Sequence, residues 1–101
     1  MTEREETANL KLPGETTLKN ACKLSIQEDK PVMLDYWMDS CDEKSTVMVG
    51  VKANDEKLLV RSSDEFTSPI SKIYKVGEDY IIMTENSIYI VFSEIPTRRI
   101  S

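Results

Sequence analysis

Asp35, Asp39, Asp42 and Glu43 crowd into the stretch DYWMDSCDE, residues 35–43, the densest group of chemistry-bearing side chains in the sequence. Hard cations such as Mg²⁺ and Ca²⁺ take several oxygen ligands, so four carboxylates this close together raise the question of a metal nest. The spacing argues against it. An EF-hand loop alternates its oxygen ligands around a central glycine, and this stretch contains no glycine. The reading that fits is a solvated acidic loop, with no metal expected. Asp35 is the exception, because it lies inside an apolar run, and a buried carboxylate must find a partner or shift its pKa.

Nucleophilic chemistry fares no better. Cys41 stands beside Asp42 and Glu43, whose charges disfavour a thiolate. The chain has no histidine, which removes the commonest general base, zinc ligand and partner of a catalytic serine or cysteine. With only two cysteines, Cys22 and Cys41, a zinc site would have to be completed by carboxylates. Neither a Gly-rich phosphate loop nor a nucleophile elbow is present. The expectation is a protein without catalytic residues or cofactor, acting through shape and surface.

The 101 residues leave room for one domain around one hydrophobic core. Residues 1–13 lack apolar periodicity and read as a flexible start, residues 14–93 as the domain, and residues 94–101 as a fraying tail. No apolar run reaches membrane-spanning length and the start has no apolar core of a secretory signal, so a cytoplasmic protein is expected. The net charge of -5 argues against indiscriminate nucleic-acid binding.

Pro13-Gly14 punctuates the chain, and Thr16 or Thr17 could cap a helix over residues 17–29. Leu18, Ala21, Cys22, Ser25 and Ile26 then fall on one helical face, with Leu24 widening it. Pro31 ends the pattern. Beyond it, short apolar runs alternate with polar breaks: residues 32–38, 46–52, 57–62, 70–76, 80–84 and 87–92. Asn54-Asp55, Gly77-Glu78-Asp79 and Glu85-Asn86 read as hairpin turns, the last relying on the tolerance of asparagine for positive φ. The fold class is therefore α+β: one N-terminal helix, then a mainly antiparallel six-stranded meander. It is read as a strongly twisted sheet or small half-open barrel, too small for a two-layer sandwich.

Between residues 46 and 92 the charges assigned to strands are all basic (Lys52, Lys57, Arg61, Lys72 and Lys75), while those assigned to turns are acidic. Protection of sheet edges explains this pattern, and so does a cationic docking face. Alternation over residues 32–38 sets Trp37 on the face shared with Asp35, as a core anchor or a partly exposed contact. Phe66, in the long break SSDEFTSPI, is read as a lid folded back on the core, or else as a recognition tip. The candidate partner-binding residues are Trp37, Phe66, Lys72, Tyr74, Lys75, Tyr80 and Tyr89.

Thr67–Ile70 (TSPI) and Thr84–Tyr89 (TENSIY) together resemble the small β-rich reading frames of viral and mobile-element genomes, a resemblance that assigns no residue a role. The expected function is a small non-enzymatic protein–protein interaction module, accessory or inhibitory, or self-associating through its strand edges. The alternative is single-stranded nucleic-acid binding through a small barrel, with aromatics stacking bases.

Overall fold

The computed structural model describes residues 11–42, 44 and 46–100. Most of the expected flexible start, along with Glu43 of the acidic stretch, lies outside the described residues. Among the described residues the architecture is α+β, with one main helix and eight strands in two mixed four-stranded sheets that do not close into a barrel. The elements are α1 (Glu15–Glu28), β1 (Val32–Met33), α2 (Trp37–Ser40), β2 (Met48–Val51), β3 (Lys57–Ser62), β4 (Glu65–Phe66), β5 (Ile70–Val76), β6 (Asp79–Thr84), β7 (Ile88–Phe92) and β8 (Thr97–Arg99).

The central sheet has the order β1-β7-β6-β5, and the outer sheet the order β4-β3-β2-β8. Each contains one parallel pair, β1 with β7 and β2 with β8, so the antiparallel meander is incomplete. The two sheets face each other, and α1 and α2 cover the other side of the central sheet. Three layers result, with two cores in place of the expected one. Ile81, Met83, Ile88 and Ile90 point to the helical side, against Ala21 and Trp37. Ile82 and Val91 point to the outer sheet, against Val47, Val49 and Leu59. Both faces of β6 and β7 are thus buried, which is why their sequences run apolar without strict alternation.

The main helix begins at Glu15, with Gly14 as its N-cap and no side-chain cap. Its apolar stripe is rotated from the expected one: Thr17 and Ala21 are buried, while Cys22 is exposed and Ile26 is 84% exposed. A polar tether accounts for the rotation. Asp79, only 6% exposed, accepts from Gly14 N at 2.9 Å and from Thr17 Oγ1 at 2.7 Å, which turns Thr17 and its i+4 neighbour Ala21 inward. At the other end Asp29 takes a left-handed conformation, φ 56°, and donates to Ser25 O as a C-cap.

The run 32–38 does not continue as a strand. After Met33 the chain turns, and Trp37–Ser40 forms a single helical turn. Two adjacent aromatics must be buried there in different cores: Tyr36 enters the core between the sheets and Trp37 the core under the helix. Ser40 fixes the turn, donating to Trp37 O at 2.6 Å and accepting from Phe92 N at 2.9 Å. Asp35 lies exposed in the bend, so the buried carboxylate expected there does not arise.

The turns fall where expected. Asp55 has φ 67° between β2 and β3, and Gly77 has φ 59° between β5 and β6. In the β6–β7 turn no positive φ is needed, because Thr84 Oγ1 accepts from Asn86 N and Ser87 N. The stretch 94–101, expected to fray, instead supplies β8: Val49 N donates to Pro96 O at 2.9 Å and Ile100 N to Val51 O at 3.0 Å.

Candidate functional site

The outer sheet packs one face against the central sheet and turns the other toward solvent. With Val49 and Leu59 pointing inward, strand alternation turns Met48, Gly50, Leu58 and Val60 outward. The register sets Met48 beside Val60 and Gly50 beside Leu58. β4 adds Phe66 opposite Val60, and the residue after β8 adds Ile100. These side chains form an open apolar groove of about 820 Å³, lined also by Thr46, Lys52, Ser62 and Ser63. Leu58 and Val60 are buried in its floor, whereas Phe66 is 57% and Ile100 38% exposed.

Gly50 is required for that shape. A Cβ there would lie 2.9 Å from Ile100 Cδ1 and 3.0 Å from Val60 Cγ2, inside ordinary contact distance. Glycine lets Ile100 lie flat on the sheet. The outward face carries cations at one side. Arg98 is exposed and stands in register with Gly50, and Lys52 reaches Glu56 at 3.5 Å.

The expected cationic face does not form as a single surface. Arg61 turns to the inner side of β3, where Nε meets Asp39 Oδ2 at 2.7 Å and Nη1 meets Glu65 Oε2 at 3.2 Å. Its guanidinium also lies 5.6 Å from the Tyr36 ring centroid. Burial, with the neighbouring Tyr89 phenol, pushes the Tyr36 phenol up to about 12. The network ties α2 to the edge of the outer sheet, and that accounts for its charges. Lys72 and Lys75 belong to the other sheet.

The seven candidate residues are dispersed. Trp37 is 4% exposed and donates through Nε1 to Lys11 O at 2.9 Å, so it is a core anchor and not a contact residue. Tyr80 and Tyr89 pack against the core between the sheets, with Tyr89 5.2 Å from the ring of Tyr36. Tyr74 packs against the core under the helix. Lys72 and Lys75 are exposed on β5. Phe66 does not fold back as a lid, and it is the only one of the seven in the groove. Sequence reading missed Met48, Leu58, Val60 and Ile100. The signal was the unbroken triplet Leu58-Leu59-Val60, which implies cover on both faces of its strand.

Cys22 is exposed on α1, and burial, followed by the Asp79 carboxylate, pushes the Cys41 thiol up, against the opposing effects of Lys11 and the Ser40 hydrogen bond. Among the described residues, no group of three or more acidic or thiol side chains converges on a metal-sized site. No described helix is long and apolar enough to cross a membrane. In comparison with known proteins, the chain matches no family model, no curated protein and no solved structure.

Proposed function

We propose that the chain is a non-enzymatic protein-binding module whose outer-sheet groove takes an apolar segment of a different protein. The observation that carries this reading is that Phe66 and Ile100 stand in solvent above a ready-made apolar floor. Exposed aromatics are enriched in protein contacts, and Phe66 stands at the rim of an apolar groove that can take a partner side chain. The occupant is a short segment with bulky aliphatic side chains for the groove and a carboxylate to meet Arg98. That charge matches the exposed guanidinium beside Gly50. An accessory or inhibitory factor acts in this way, by occupying a partner without changing it chemically. Nucleic acid suits the surface less well, because Tyr36 and Trp37 lie in the cores, where they cannot stack on bases.

Site-specific photo-crosslinking in the native cell tests the proposal. A benzoylphenylalanine replaces Phe66 in one variant and Ile26, exposed but outside the groove, in the control. The expected result is one crosslinked segment of another protein, rich in aliphatic residues and flanked by an acidic one, obtained from position 66 and not from position 26. Crosslinks to a second copy of this chain would show self-association instead. Equal yields from both positions, or no crosslink at position 66, would reject the groove as the contact surface.

A further inference from the structure

The exposed edge of the central sheet carries a second inference, independent of the groove. β5 is seven residues long and pairs only with β6, so its other side presents unpaired backbone N–H and C=O groups. Lys72 stands opposite Met83, which faces the helical core, and Lys75 stands opposite Tyr80, which packs against the core between the sheets. The two lysines therefore flank the edge on opposite faces of the sheet. Both are exposed, and among the described residues neither has an ion-pair or hydrogen-bond partner. The strand itself, ISKIYKV, contains no acidic residue.

This charge pattern selects the partner. Pairing β5 with a second copy of itself gathers the lysines of both copies along one short junction, and the carboxylates beside Lys72, Asp55 and Glu56, are already paired with Arg99 and Lys52. Four like charges gathered at one junction repel, most strongly in the registers that set lysine directly opposite lysine. An extended segment with acidic residues three positions apart meets Lys72 on one face and Lys75 on the other, and it satisfies the free backbone groups at the same time. We propose that β5 receives an acidic extended segment of a different protein by strand addition, with main-chain hydrogen bonds supplying affinity and the two lysines supplying selectivity.

The probe is a short capped peptide of alternating valine and threonine carrying two glutamates three positions apart. Its affinity is followed by fluorescence anisotropy, and its site by amide exchange in NMR spectra. The expected result is binding that weakens with added salt, with new amide protection confined to residues 70–76. The double variant Lys72→Glu, Lys75→Glu loses at least tenfold in affinity. That same variant gains affinity for a peptide with lysines in place of the glutamates, and Phe66→Ala leaves the affinity unchanged. No binding, or binding indifferent to the charge reversal, would overturn the proposal. So would equal affinity for an oligothymidylate of the same charge, which would make the edge a general polyanion contact. Loss of peptide binding in Phe66→Ala would move the site to the groove and reject β5. The charge-reversed variant is checked for an unchanged amide spectrum, which is expected because both side chains are solvent-exposed.

Discussion

Ile81→Ala and Ile82→Ala each cost about 2–5 kcal/mol of unfolding free energy, measured by urea denaturation. The two neighbours are fully buried, yet they point to opposite sides of the central sheet, Ile81 toward the helical layer and Ile82 toward the outer sheet. In a sheet covered on one face only, truncating one of two adjacent residues is nearly silent, within about 0.5 kcal/mol for a surface position. Here both leave a cavity in a close-packed core. A domain of this size has only about 5–15 kcal/mol in total, so each substitution removes a large fraction of it. A silent result at either position would mean that one of the two packed faces does not exist.

Trp37→Ala costs about 3–5 kcal/mol, whereas Phe66→Ala changes stability by no more than about 0.5 kcal/mol. The indole fills the core under the helix, and its Nε1 holds the backbone carbonyl of Lys11, so truncation creates a cavity and removes a part-buried hydrogen bond. Phe66 lies on the surface of a two-residue edge strand and loses little on truncation. Thermal or chemical melting of the two variants side by side checks the contrast. If Trp37→Ala were the mild change and Phe66→Ala the severe one, the assignment of anchor and contact would be reversed. The contrast also shows why Trp37 is a poor probe of partner binding: its loss weakens the whole fold.

Much of the local structure was legible because it depends on local causes. Pro31 and Pro13-Gly14 bracket the helix, and Asn54-Asp55 and Gly77 supply the left-handed backbone that their turns need. What escaped sequence reading depends on contacts distant along the chain. The rotation of α1 is set by Asp79, which lies 62 residues beyond Thr17. The short helix at Trp37–Ser40 replaces a strand because neighbouring aromatics serve two cores, a demand invisible to alternation. β8 forms where a fraying tail was expected because Ile95 packs against the core between the sheets and Ile100 rests on Gly50. Chain length argues against a sandwich, but YIIM and IYIV, apolar on both faces of their strands, carry its signature.

The same distinction governs the candidate site. Phe66 was legible as an apolar residue in a polar break, but its companions were not, since three strands and the chain end converge on the groove. Aromatic type proved a weak guide to contact. Tyrosines and the tryptophan are large enough to fill the space between layers, and in a domain with two cores most of them do so.

Every surface assigned here follows from the layering, because the buried sides of the central sheet determine which face of the outer sheet and which edge remain free. Methyl–methyl nuclear Overhauser contacts in the isotope-labelled protein measure that layering directly. Cross-peaks should join Ile82 and Val91 to Val49 and Leu59, and join Ile81 and Ile90 to Ala21. If Ile82 instead contacts the helix, or Val49 and Leu59 show no contact with the central sheet, the three-layer arrangement and the surfaces derived from it are wrong.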